Sequence, residues 1–299
     1  MTDAGDARPV VVGVLVGSAP GDVGLRGAAE RLPGVATRAL QADAPSTPDV
    51  DGLIVDADLG ERPALLRALV SRWSVPVLVE SPAAADVQVV ERLVTANGHP
   101  VESNIAPGRR VVAANPLRYG LHTRRLLEEL AQADDPLQSF FAAWRFKPQS
   151  STAEALPRLL DFLRGVCPAD PTSITAMRSR DASLLVAMLR YPSDVLGSLE
   201  VGSHLPATFP GPSELIVECF TRDRAYLCTP GHQAITVFGA QARLDEWQPD
   251  PADLIVAAFA AWLQGTGGRP PGGLAEDVSA LQLAERIRHI VVRGGCPIG

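Results

Sequence analysis

Three groups of residues have types and spacings that suit chemistry. The first is Glu80-Ser81-Pro82, which ends a short apolar run at residues 75–79. That run reads as a buried parallel strand. A helical pattern follows, with Val87, Val90, Leu93 and Val94 at three- and four-residue spacings. In an open parallel sheet the ligand lies beyond the carboxyl ends of the strands, so Glu80 and Ser81 stand where a ligand would bind. No histidine has a traceable relation to Ser81, which argues against a serine nucleophile.

The second group is Gly17, Ser18 and Gly21, in the turn after the apolar run VVVGVLV at residues 10–16. Strand, turn and helix in that order suggest dinucleotide binding. Such a turn needs Gly-x-Gly-x-x-Gly for tightness, backbone approach to the diphosphate and helix packing. With Gly21 as the third glycine, Val16 and Ser18 hold the first two places; with Gly17 as the first, Ala19 and Asp22 hold the others. Neither register is intact. Pro20 also removes a backbone donor from the turn. The third group is a single residue: Lys147 is the only lysine of the chain. Any mechanism that needs a titratable amine has that one candidate.

The elements that must position these residues follow from the apolar pattern. Strands are expected at residues 10–16, 35–40, 51–56, 75–79 and 111–115, alternating with helices at about 24–32, 61–73, 87–97 and 121–131. After residue 140 the period changes. Strands at 140–146, 173–178, 184–191, 195–203, 214–221, 224–228 and 234–238 are separated by short turns, with one helix at 152–166. Asp250-Pro251 opens a helix as N-cap and first-turn proline, and a last helix covers 274–292. The expected fold class is α/β: a Rossmann-like parallel sheet, then an α/β domain with an antiparallel-rich open sheet. The division falls at residue 120, giving domains 1–120 and 121–299, and the final helix is free to pack back on the first.

Composition sets further bounds. A net charge of −7 argues against binding along a nucleic-acid backbone. No apolar run is long enough to span a bilayer, and the opening MTDAGDARP lacks the layout of a signal peptide, so a soluble cytoplasmic protein is expected. Cys167, Cys219, Cys228 and Cys296 form no Cys-x-x-Cys and no cluster with histidine, so no metal site is expected. Cys219 and Cys228 fall where they would face each other across a hairpin; buried free thiols are the favoured reading.

Several stretches resemble the Gfo/Idh/MocA family of nicotinamide-dependent oxidoreductases. Asp51-Gly52-Leu53-Ile54-Val55 resembles the family's DAVVI strand, and Val77-Leu78-Val79-Glu80-Ser81-Pro82 its VLVEKP. Arg118-Tyr119 resembles the RY or RF after a later strand, and Glu276-Asp277 the acidic pair that opens the final helix. The resemblance covers nearly the whole chain. It implies NAD or NADP as cofactor, a small-molecule ligand, and homo- or hetero-oligomers built on the open sheet. It also implies that Glu80 orders a ribose or a neighbouring loop; an exposed turn carboxylate is the alternative. The departures fall on functional positions. The lysine that contacts substrate is Ser81 here. The family's Asp-x-x-x-His becomes Glu154 and Arg158, so the proton-transferring imidazole is replaced by a permanently charged guanidinium. The family's Thr-Pro becomes Ala57-Asp58, and a histidine beyond it becomes Arg62.

Two readings lead, with a non-redox enzyme that reuses the cleft as a third. One is a diverged homologue with impaired hydride transfer, acting as a ligand-binding or non-catalytic partner subunit, a pseudoenzyme with or without a nucleotide. The other is a working NAD(P)-dependent reductase or dehydrogenase on a small hydroxylated or imine substrate. Its catalytic set would be Lys147, Tyr119, Glu154 and Arg158, with Gly17, Ser18, Gly21, Glu80 and Ser81 towards the cofactor.

Overall fold

The computed structural model describes residues 8–17, 24–41, 49–96, 111–148, 153–230, 234–238, 242–245 and 249–294. The chain divides into two compact units. One holds residues 1–116 and 250–278, the other residues 117–249 and 279–299. A single cut at residue 120 therefore misses a return of the chain, because residues 250–278 count with the first unit.

The first unit is a five-stranded parallel sheet in the order β2-β1-β3-β4-β5. Its strands are β1 (Val10–Val16), β2 (Val35–Ala39), β3 (Gly52–Asp56), β4 (Val77–Glu80) and β5 (Val111–Ala114). Every residue of β3, β4 and β5 is buried, as expected for parallel strands covered on both faces. β2 is an edge strand and largely exposed. The helices are α1 (Leu25–Arg31), α2 (Arg62–Arg72) and α3 (Val87–Ala96). The strand order reverses between β1 and β3. That switch point places any ligand crevice beyond Val16–Gly17 and Asp56–Ala57.

α7 (Pro251–Leu263) packs on α1. Gly52 leaves room for it: a Cβ there would come 2.7 Å from Leu263 Cδ1 and 3.1 Å from Phe259. The N-cap carboxylate of Asp250 accepts from the Ala252 N–H at 3.0 Å, as its Asp-Pro signature implies. Arg31 reaches Asp253 at 2.7 Å, an exposed pair worth at most about 1 kcal/mol. Burial of Phe259, not that pair, accounts for the return of the chain.

The second unit carries an eight-stranded sheet, β13-β12-β11-β10-β6-β9-β8-β7. Its strands are β6 (Ser139–Phe146), β7 (Ser173–Arg178), β8 (Leu184–Arg190), β9 (Leu196–Gly202), β10 (Ser213–Phe220), β11 (Ala225–Thr229), β12 (Ala234–Phe238) and β13 (Ala242–Asp245). All neighbours are antiparallel except β6 and β9. α4 (Pro116–Tyr119) is one turn long and leads to α5 (Leu121–Ala131); α6 is Ala155–Val166 and α8 is Leu274–Gly294.

One face of this sheet builds the core. Phe140, Leu199, Val217 and Tyr226 pack with Leu126 of α5, Leu159 and Leu163 of α6, and Leu283 and Ile287 of α8. Strand alternation sends the next residues to the other side. Trp144 and Phe146 pack against the core, so of the three β6 aromatics outside Phe140 only Phe141 belongs to the open face. Cys219 and Cys228 are buried free thiols. Burial pushes Cys228 up to about 12, and raises Cys219 with help from its neighbour Cys228. Among the described residues no helix is long and apolar enough to cross a membrane.

Candidate functional site

The carboxyl ends of the first sheet carry an unusual set of acids. Asp56 ends β3 and is 3% exposed. Its Oδ2 accepts from the backbone N–H of Arg26 at 2.9 Å. Arg26 lies in the first turn of α1, whose N-cap is Gly24, a left-handed residue at φ 68° with no side chain to offer. Helix N-termini present unsatisfied N–H groups and partial positive charge. The chain thus supplies its own anion to the start of α1.

Beside it, a Cβ placed on Gly17 would run into the Glu61 carboxylate, so that side chain lies over the end of β1. Asp58 Oδ1 in turn accepts from the Glu61 N–H at 3.0 Å. A dinucleotide diphosphate needs donors at this switch point. The described residues at this point present the carboxylates of Asp56 and Glu61. Ser18 and Gly21, expected to meet the cofactor, lie outside the described residues.

Glu80 is neither exposed nor available. Its Oε2 lies 2.6 Å from Nη2 of Arg62, with both side chains buried. Arg62 also donates to Ala57 O at 2.9 Å and to Pro82 O at 3.0 Å. One guanidinium therefore ties together the ends of β3 and β4 and the start of α2. Nothing in the sequence around Glu61-Arg62-Pro63 marks that arginine as buried.

Ser81 Oγ donates to Asp277 Oδ1 at 2.6 Å, and the Ala83 N–H donates to Asp277 Oδ2 at 2.7 Å. Ser81 N–H donates to Ala114 O at 2.9 Å, and the Ser81–Pro82 peptide is cis. Asp277 belongs to the first turn of α8. The loop before it is held to β5 by Arg269, which donates to Val111 O at 3.2 Å, and by Gly272. Gly272 has φ +96° and sits so close to Ala113 O that no side chain fits. The Ser81 hydroxyl is thus a pin between β4 and α8.

The remaining sequence candidates lie in the second unit. Glu154 and Arg158 share a face of α6, as their spacing predicts, and form a buried ion pair with each other. Arg118 forks onto Asp161 of the same helix, with Nε to Oδ2 and Nη2 to Oδ1 both at 2.7 Å. Tyr119 is 3% exposed. Lys147 is half-buried just past β6, its N–H donating to Pro212 O at 3.3 Å. Sequence reasoning missed Asp56, Glu61 and Asp277 as parts of the site; only Asp277 carried a signal, in the acidic pair that opens α8. Among the described residues no three or more His, Cys, Asp or Glu side chains group as a metal site.

No family model and no curated protein matches the sequence. Solved structures do match it. A myo-inositol dehydrogenase from Corynebacterium glutamicum superposes with a TM-score of 0.73 at 15% identity, over 96% of this chain and 97% of that one. A UDP-N-acetylglucosamine 3-dehydrogenase from Acidithiobacillus ferrooxidans gives 0.73 at 16% identity, over 95% and 98%. An oxidoreductase from Agrobacterium radiobacter, solved with NAD+, L-tartaric acid and magnesium, gives 0.67 at 13%, over 95% and 96%.

The chain has the Gfo/Idh/MocA-type oxidoreductase fold.

Asp56 follows directly on the stretch Asp51–Val55, and Ala57-Asp58 comes next. At the strand ends Arg62 and Glu80 close on each other, and Ser81 closes on Asp277.

Proposed function

We propose that this protein is a diverged Gfo/Idh/MocA-type oxidoreductase homologue whose standard nicotinamide hydride transfer is impaired. It serves in the cytoplasm as a small-molecule-binding or non-catalytic partner subunit. The observation that carries this reading is Asp56 at the first turn of α1. A nucleotide diphosphate entering there meets a buried carboxylate, and Glu61 adds a second over Gly17. The chemistry of α6 supports the same reading. Arg158 cannot take up and release a proton at working pH, and it is committed to Glu154.

Titration with NADH and NADPH, followed by nucleotide fluorescence and thermal shift, tests this directly. The expected result is no saturable binding at micromolar nucleotide. Saturable micromolar binding overturns the cofactor-free form of the reading and brings forward a working NAD(P)-dependent enzyme, for which the NAD+ complex of the Agrobacterium neighbour is the precedent. Turnover lost in Lys147→Ala or Tyr119→Phe would then assign the substitutes.

A partner role also requires an interface. Four of the five large exposed apolar side chains, Met188, Leu196, Phe220 and Phe238, project from the sheet face opposite the helices. Phe238, Phe220 and Leu196 lie on one cross-strand row running through Ala225 and Ser139. A row that carries three large exposed apolar side chains across five strands suits assembly through that face. Light scattering is expected to report a dimer or larger species, and a double Leu196→Glu, Phe220→Glu variant a monomer. A monomeric wild-type protein at working concentration refutes the interface.

A further inference from the structure

The second unit holds a cavity of about 240 Å³ at the end of the β7–β8 hairpin, lined by none of the candidate residues above, although Ala153 and Leu156 of its wall flank Glu154. Two arginines line it: Arg178, the last residue of β7, and Arg288 on α8. Leu156, Leu185 and Val201 supply an apolar wall. Two like charges lining one cavity, one of them exposed and one half-buried, make it a place that favours an anion.

The groups around them leave that charge uncompensated. Among the described residues neither arginine takes part in an ion pair. Arg288 makes only a long 3.5 Å contact from Nη2 to Ala153 O. Burial, and then the charge of Arg178, hold the Arg288 guanidinium below its ordinary range; Glu285, a turn away on the same helix, works the other way without reaching pairing distance. The carboxylate nearest in sequence to Arg178 is already committed. Asp181 Oδ1 accepts from Ser179 Oγ at 2.6 Å, Ser183 Oγ at 2.9 Å and Ser183 N at 3.1 Å. Those donors hold its carboxyl at about 2, so it stays an anion locked into the hairpin turn. Ala182, at φ 62°, keeps that turn's backbone in the left-handed region. In a chain of net charge −7, this is a local reversal of sign.

We infer that this cavity binds the phosphoryl group of a small organic phosphate, held between Arg178 and Arg288 with its carbon stem on Leu156, Leu185 and Val201. Guanidinium forks match phosphate oxygens in geometry and charge. The volume admits a phosphate and a short stem but not a nucleotide. This site is independent of the switch point in the first unit and does not rest on the proposed function.

Calorimetric titration of the full chain with inorganic phosphate, glycerol 3-phosphate and succinate at low chloride tests the inference. Saturable binding of glycerol 3-phosphate, tighter than inorganic phosphate, is expected. Arg178→Met and Arg288→Met should each weaken it by about tenfold or more, the loss of one charge-assisted contact pair. Arg67→Met, on an exposed face of α2, should leave it unchanged. Arg178 is exposed at the end of the hairpin, so its variant will fold even if the Arg288 variant does not. The inference is overturned if neither phosphate probe binds at millimolar concentration. It is equally overturned if succinate binds in their place, or if binding survives Arg178→Met unchanged.

Discussion

Replacing Arg62 by methionine is expected to destabilise the protein by about 3–5 kcal/mol, the range for removing one partner of a buried ion pair. The size follows from what is left behind. Glu80 would keep a buried carboxylate without its 2.6 Å partner. The carbonyls of Ala57 and Pro82 would each lose a donor. Methionine fills most of the volume, so a cavity contributes little. Urea unfolding of Arg62→Met, Glu80→Gln and the double variant gives the coupling. The double variant should recover part of the loss, because a neutral pair in that space has no charge to strand. Arg67→Met on the exposed face of the same helix should stay within about 0.5 kcal/mol of wild type. A loss below about 1 kcal/mol in Arg62→Met would show that the pair does not hold the strand ends.

The second large effect is expected at Asp277. Its two oxygens accept from the Ser81 hydroxyl and the Ala83 N–H at 2.6 and 2.7 Å, in a place where none of the three residues reaches water freely. Asp277→Ala strands two buried donors at about 1–3 kcal/mol each, so a total of about 2–6 kcal/mol is expected. Ser81→Ala removes only one donor and leaves Asp277 on the Ala83 N–H. It should cost about 1 kcal/mol. The ratio between these variants is the informative quantity. Were Ser81 a chemical group rather than a pin, Ser81→Ala would change function and spare stability. Equal losses in both variants would mean that the Ala83 N–H finds another acceptor.

Both experiments concern contacts that no local pattern announces. Elements with strong local patterns were legible. β1 and β7 have the bounds their apolar runs imply, and α5 covers the residues its periodicity marks. α4 was missed because one turn has too few residues to show a period. β13 was missed because Ala242-Arg243-Leu244-Asp245 is short, and its pairing with β12 carries the structure. Helix α6 starts at Ala155 rather than at 152, with Glu154 as its N-cap residue. That shift matters, since it puts Glu154 at the N-cap and Arg158 one turn further on.

The candidate site was legible as a position and not as chemistry. Glu80 and Ser81 stand at a strand end, as expected from the apolar run before them. Their partners lie 18 residues back for Glu80 and 196 residues on for Ser81. Such separations leave no trace in local spacing.

By itself the sequence determined the alternation of strands and helices, the change of period after residue 140 and the strand ends that face outward. It determined these because burial periodicity is a local property: each residue's neighbours at two, three or four places decide which face it takes. Only the tertiary structure decided that Asp56 caps α1, that Arg62 closes on Glu80 and that α7 returns to the first sheet. Those outcomes depend on which charges can reach one another once the backbone is folded, and a buried charge settles on whichever partner satisfies it.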